Sequence, residues 1–384
     1  MSTKGYFMIK LYMSYFKYEG TFMSIKNIVM PFEGTRHEAT IMMLPYRQDT
    51  WRNNAILASK AYFDVILAIA KHEKVYVLVD EKVTYSIDPI KNNRNIILLN
   101  INYNDAWARD TSPIFVYEND ELIGVDFRFN AWGGSVDGLY EDYSDDDKVS
   151  AKICEALNLK TRYVENFILE GGSIHANGEG LFMTTEACLL SEGRNPHLTK
   201  EAIENSLKKY LGAKKVLWLP RGIYNDETNE HIDNIACFIK PNVIGIAWTD
   251  DENDPQYALS KASYDYLSKE TDLNGNPLEI IKVVLPKPLY LSKEESSGIL
   301  PTDSSKPRNE NDRLAASYIN FYLGQDFVIL PKFNVYEDEI AYRQFKALYP
   351  NKKIYQIDSK EILLGGGNIH CITMQIPTKE INKQ

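Results

Sequence analysis

Two short stretches far apart in the chain, Glu170-Gly171-Gly172-Ser173-Ile174-His175 and Gly365-Gly366-Gly367-Asn368-Ile369-His370, agree at four of six positions. Each follows a leucine and each leads into a strand-like run. From Met30 onward, β-rich runs alternate with helical stretches. The strand candidates are 75–80, 96–100, 113–117, 122–127, 181–185, 216–219, 235–239, 243–248, 280–285, 327–330 and 371–376. The helix candidates are 51–72, 147–158, 199–211, 255–269, 312–323 and 338–348. In the first of these, Ala58, Tyr62, Val65, Ile66 and Ile69 recur at three- and four-residue steps, the period of a helix with one buried face. Alternation of this kind predicts an α/β protein. The echoed hexad adds that the fold repeats a sheet-and-helix unit and reuses one loop geometry.

No low-complexity linker cuts the chain, and the acidic run 141–147 and the Ser/Pro-rich segment 292–309 read as surface loops. The opening residues 1–29 mix lysine with aromatics and lack the apolar core of a secretory signal. They read either as an amphipathic appendage or as sequence ahead of a true start at Met23 or Met30. The expected organisation is an N-terminal extension, 1–29, and one domain, 30–384. No run approaches the ~18 apolar residues of a membrane span. With 43 Lys+Arg against 53 Asp+Glu, the net charge of −10 argues against nucleic acid or an anionic membrane as main partner.

Cys154, Cys188, Cys237 and Cys371 lie far apart, without zinc-ligand spacing. So few thiols in so long a chain fit a reducing cytoplasm. Cys188 and Cys237 sit in apolar runs, and Cys154 fits the apolar face of a helix. Cys371 differs, because it follows three glycines whose backbone can approach a ligand closely. A thiol serves as a nucleophile only when its surroundings favour the thiolate. In Asn229-Glu230-His231-Ile232-Asp233-Asn234, an extended backbone puts His231 and Asp233 on one side. Trp107-Ala108-Arg109-Asp110 offers a flat aromatic face for a cation and a carboxylate that a guanidinium can meet in forked geometry. Arg109 reads as structural, His175 and His370 as holding their turns, and His37 as structural. Glu170 adds a carboxylate beside paired glycines. One thiol, one imidazole and the carboxylates Asp110, Glu170 and Asp233 suit a planar cation rich in N–H donors, a guanidinium. Such chemistry calls for no metal and no cofactor.

The segments MPFEGTRHEATIMMLPYRQDTWRNN, NDAWARDTSP, FNAWGG, LEGGSIHANGEG, EGRNPHLTKEAIE, WLPRGIYNDETNEHIDN, WTDDENDPQYALS, DRLAASYINFYLG and LLGGGNIHCIT carry a resemblance that spans nearly the whole chain from Met30. It resembles the agmatine deiminases of the guanidino-group-modifying, or pentein, superfamily. The resemblance implies a five-bladed α/β propeller around a central site. It implies hydrolysis of agmatine to N-carbamoylputrescine and ammonia by a cofactor-free homodimer or higher homo-oligomer. It would make Cys371 the nucleophile and His231 the acid for ammonia and then the base for water. Asp110 and Asp233 would hold the guanidinium, Glu170 would support His231 or the substrate, and Trp107 would wall the slot. For the far amine of agmatine, Glu227 is the candidate.

The chain departs from the family pattern at Ser112 and Glu230, where glycines are usual, at Asn177 for an Asp, and at Met374 for a Gln. Competing readings are a deiminase of free or peptidyl arginine, a non-catalytic guanidine- or polyamine-binding paralogue, and a Cys–His acyl hydrolase. The last leaves the three carboxylates without a task. Free arginine would need a cationic partner for its α-carboxylate, and the sequence alone does not place one.

Overall fold

The computed structural model describes residues 27–379. Most of the expected extension, residues 1–26, lies outside the described residues. The remainder joins the fold, because Ile28–Val29 pairs antiparallel with the strand Ile114–Glu118.

Five small sheets share one plan. Two antiparallel strands are followed by a helix and a third strand that returns parallel to the second. The first sheet has Ile114–Glu118, Glu121–Arg128 and Lys160–Ile168, with the helix Asp146–Ala156 in the crossover. His175–Ala176, Leu181–Thr185 and Lys215–Leu219 form the second, around Lys200–Leu211. The third has Ala236–Lys240, Val243–Trp248 and Glu279–Val284, around Pro255–Leu267. Tyr322–Leu323, Phe327–Lys332 and Lys353–Asp358 make the fourth, around Glu337–Leu348. In the fifth, Met374–Pro377 pairs antiparallel with His37–Met43, the helix Ile56–Ile69 crosses over, and Lys74–Leu78 and Ile96–Leu99 follow in parallel. One sheet therefore joins the two ends of the described chain, and the five repeats close into the expected α/β propeller.

Local chemistry explains why the crossover helices begin and end where they do. Thr199 caps one by accepting from Ala202 N, and Gly212, at a φ of 79°, ends it in the left-handed conformation that glycine tolerates. Asp254 caps another, ahead of Pro255 in the first turn, where a missing N–H costs nothing. The Ile56–Ile69 helix buries Ala58, Tyr62, Val65, Ile66 and Ile69 as its periodicity predicts.

One expected helix is absent. Residues 312–323 contain no helix and end in the short strand Tyr322–Leu323. From Ala316 to Leu323 every residue is buried, so tertiary packing on all sides overrides the local pattern. Tyr318 donates to Asp338, while Asn320 turns toward the centre. Besides three two-residue strands, three longer ones went unpredicted: His37–Met43, which is poor in β-branched residues, and Lys160–Ile168 and Lys353–Asp358, which carry many polar residues. The acidic run is not wholly a surface loop. Asp146 is 1% exposed and accepts from Asn104 N, Asp105 N and the Tyr140 hydroxyl.

Candidate active site

Each sheet's leading strand is preceded by a tight turn, and the five turns converge. Ala108–Thr111 is one helical turn ahead of Ile114, and Gly171–Ser173 one 3-10 turn ahead of His175. Ile232–Ile235 precedes Ala236, the Asn320 turn precedes Tyr322, and the glycine run with Cys371 precedes Met374. Ala108, Arg109 and Asp110 thus lie in a helical turn, with Trp107 at its N-cap. His231 sits at the N-cap of a helical turn whose first residues include Asp233. The side chains still meet, because each turn opens toward the axis of the ring.

Two glycines mark where they meet. A Cβ on Gly172 would lie 2.7 Å from His231 Nδ1, 2.9 Å from Asp110 Oδ1 and 3.0 Å from Asp233 Oδ2. A Cβ on Gly367 would lie 2.5 Å from the Trp107 ring and 3.1 Å from Cys371 Sγ. Side chains at either position would fill the slot that these groups surround. Trp107 and Trp132 stand edge to face with ring centres 6.4 Å apart, and Trp132 Nε1 donates to Asp110 Oδ2 at 3.0 Å. Asp110 Oδ1 accepts from Gly172 N at 2.9 Å.

The electrostatics follow from burial. Burial pushes the Asp110 carboxyl up to about 6, with the His231 charge opposing and Asp233 and Glu170 adding to the rise. Burial also opposes the charge on His231, but Asp110, the adjacent Cys188 thiol and Glu170 push it up to about 10. Cys371 is held well above the usual thiol range, first by burial and then by the charges of Asp233 and Asp110. Its Sγ lies 3.6 Å from Asp233 Oδ2 and 3.1 Å from Asn320 Nδ2. Burial would raise Asp233, yet His370 and then His231 hold it below the usual carboxylate range.

A buried network fixes Asp233. His370 Nδ1 lies 2.8 Å from Asp233 Oδ2, and His370 Nε2 lies 3.0 Å from Glu33 Oε1. Arg109 donates to Glu33 at 3.0 Å and to Gln375 at 2.9 Å, and its backbone N–H reaches Cys371 O at 3.0 Å. Arg109 is structural, as expected. His370 does more than hold its turn, because it bridges two carboxylates. Glu170 Oε1 accepts from Arg194 Nε at 2.8 Å, while Oε2 lies 3.9 Å from His231 Nε2. Glu170 Oε2, His231 Nε2 and Asp233 Oδ1 are buried polar atoms without a hydrogen-bond partner. Each of these three atoms is left able to make a further hydrogen bond.

Glu227 does line the pocket but is not a free carboxylate, since Arg308 donates to Oε2 at 2.6 Å and to Oε1 at 3.2 Å. Arg308 belongs to the segment 292–309, which is therefore more than a surface loop: Ser305, Lys306 and Arg308 line the pocket. None of the four departures from the family pattern lines it. Glu230 adopts a φ of 63°, which accounts for glycine there, and its carboxylate faces Arg221 and Gly222 N. Ser112 has an ordinary φ of −77°. Asn177 accepts from two backbone N–H groups, and Met374 lies 3.6 Å from Arg109.

Asn320, Arg194, Trp132, Glu33 and Arg308 escaped the residue-by-residue reading. Asn320 stands two residues ahead of its leading strand, close to the three-residue offset of Asp233 and Cys371 in theirs, so repeat spacing would have pointed to it. Trp132 and Arg194 stand in the segments FNAWGG and EGRNPHL, without a local pattern that tells a wall or an anchor from core.

A family model described as Porphyromonas-type peptidyl-arginine deiminase matches residues 29–377. A Listeria monocytogenes relative with the provisional name agmatine deiminase 1 is 49% identical over 91% of this chain and 96% of its own. The solved agmatine deiminase of Enterococcus faecalis superposes with a TM-score of 0.87 at 40% identity, covering 92% of this chain and 96% of that one. The C. jejuni agmatine deiminase, as a cysteine-to-serine variant with substrate bound, superposes at 0.80 with 28% identity, covering 94% of this chain and all of its own.

Proposed function

The chain belongs to the Porphyromonas-type peptidyl-arginine deiminase family, and from that membership and the site we propose that it hydrolyses agmatine to N-carbamoylputrescine and ammonia. The observation that carries the reading is the convergence of Asp110, Asp233 and His231 around Gly172, with the Cys371 thiol close to Asp233. Two carboxylates at that spacing pin a guanidinium in plane, and Trp107 walls the slot.

Burial first, and then the charges of Asp233 and Asp110, keep Cys371 a thiol before substrate arrives. An arriving guanidinium neutralises both carboxylates and lowers the cost of ionising sulfur. The Cys371 thiol gives its proton to solvent, the thiolate attacks the guanidinium carbon, and the C–N bond breaks as His231 protonates the departing nitrogen, which leaves as ammonia. His231 then takes a proton from water, which attacks the amidino-thioether carbon. The C–S bond breaks and the thiol re-forms. Glu170 steadies the imidazolium throughout, and Asn320 and His370 position sulfur and Asp233.

We assign the catalytic work to the single domain 30–384, acting in the cytoplasm as a homodimer or higher homo-oligomer. The four thiols support a reducing compartment. No helix among the described residues is long and apolar enough to cross a membrane. For the far amine, Glu227 at the mouth is the partner, exchanging Arg308 for substrate.

A second reading has a specific observation behind it. Arg308 and Lys306 line the pocket and supply the cations that the α-carboxylate of free arginine would need. Side-by-side turnover of agmatine, free arginine and a peptidyl arginine, read as ammonia release, separates the readings. Preference for agmatine is expected. Turnover of arginine alone would favour the second reading, and binding without turnover would make the chain a guanidine-binding paralogue.

A further inference from the structure

We propose that Glu170, Cys188 and His231 form a site for a thiophilic divalent cation, of the zinc and cadmium class, behind the imidazole and away from the substrate slot. One ligand atom from each lies within 4.8 Å of the others, and all three residues are buried. Glu170 and Cys188 are 0% exposed and His231 1%. Two of the three ligand atoms, Glu170 Oε2 and His231 Nε2, lack a hydrogen-bond partner and lie 3.9 Å apart.

Sulfur, imidazole nitrogen and carboxylate oxygen make a donor set that tetrahedral zinc accepts, at about 2.0–2.3 Å each. The spacing here closes onto such an ion with small side-chain movements. Glu170 is already oriented for it. Arg194 takes Oε1 at 2.8 Å and directs its remaining N–H groups to Trp132 O, Asn229 Oδ1 and Thr228 O, so Oε2 is left free and held. Outer partners of this kind fix metal ligands. The other buried cluster, Glu33, His175 and His370, lacks this character, because Arg109 and Asp233 already occupy its polar atoms.

Of the three residues only His231 lines the substrate pocket, so a cation enters through that pocket past the imidazole. Binding forms metal–sulfur, metal–nitrogen and metal–oxygen bonds. The Cys188 thiol proton and the Nε2 proton of His231 leave to solvent, and no electrons move. The ring then carries one proton where it carried two, the two released protons balance the charge of the ion, and the metal-bound His231 is a weaker acid for the departing ammonia. The site is thus inhibitory; that consequence rests on the function proposed above, whereas metal binding itself does not.

The test titrates the metal-free full chain with Cd²⁺, following thiolate-to-cadmium absorption in the near ultraviolet and the metal retained after gel filtration. One cadmium per chain is expected. Cys371→Ala should keep the absorption and its affinity within about threefold, whereas Cys188→Ser should lose the absorption and about a hundredfold or more in affinity. Circular dichroism checks that Cys188→Ser is folded. If it is not, Glu170→Gln decides, since it should keep the absorption while binding about tenfold or more weakly. Absorption lost in Cys371→Ala and kept in Cys188→Ser would move the metal to the nucleophile and overturn the proposal, as would absence of stoichiometric binding by the parent. Cadmium bound as described by a protein that does not turn over agmatine would overturn only the functional reading.

Discussion

The echoed turns at 170–175 and 365–370 both lead into a blade's first strand, His175 opening its strand and His370 standing four residues ahead of Met374, and they do different work. Their histidines meet: His175 and His370 stack with ring centres 6.1 Å apart, and both face Glu33. From there the copies diverge. His370 continues to Asp233, while His175 Nδ1 accepts from Phe238 N at 3.4 Å. The next residue is Cys371 in one copy and Ala176 in the other. The third residue is glycine in both, and each glycine leaves open part of the slot. A repeat therefore supplies the scaffold twice, and single substitutions within it decide which copy does chemistry and which holds shape.

The largest test of that division is the thiol. Cys371→Ala should lower kcat by about 10⁴-fold or more, and adding Ala176→Cys should restore nothing. Recovery in the double variant would mean that the copies are interchangeable. Next come the glycines. Gly172→Ala and Gly367→Ala should each cost about 10²-fold in kcat/KM, with a smaller loss of Tm as the added methyl group pushes against His231 or Trp107. Equal loss of stability and activity would deny that these glycines shape the slot.

The histidines should then separate. His370→Asn is expected to lower kcat/KM by roughly 10- to 100-fold, the worth of a charge-assisted bond to Asp233. His175→Asn should leave kcat/KM within about threefold and lower Tm by about 2–4 °C. Equal kinetic losses would end the distinction.

Asp110 supplies a pH test. Burial raises its carboxyl to about 6, so it is anionic above that pH and neutral below it. The substrate cation needs the anion, so kcat/KM should fall about tenfold per unit as pH drops below that value. An acid limb near the ordinary aspartate value would contradict this. Glu230→Gly should change least. It relieves a positive φ at about 1 kcal/mol and gives up a half-exposed ion pair with Arg221 of similar worth, so kcat and Tm should barely move.

These contrasts also locate what the sequence made legible. Glycine context singled out Cys371, and the hexad echo foretold the repeated unit, because both are local patterns. Asn320 was hidden by an apolar pattern of helical spacing that burial on every side overrode. Arg194 and Arg308 anchor carboxylates far from them in sequence, and no spacing rule reports such a pair. The pairing of Glu227 with Arg308 was hidden for the same reason. The grouping of His231 with Asp233 came out as expected through a different backbone, a turn where a strand had been assumed.

The fifth sheet has a consequence for how the molecule comes into being. Its antiparallel pair joins His37–Met43 to Met374–Pro377, the first of these among the earliest strands described and the other the last. During synthesis four sheets can form from contiguous chain, while His37–Met43 waits with one edge unpaired. The segment that supplies that edge also brings Cys371, the proposed nucleophile, three residues ahead of Met374. A nascent chain therefore gains that thiol and its closure in one event, so turnover would certify a finished ring.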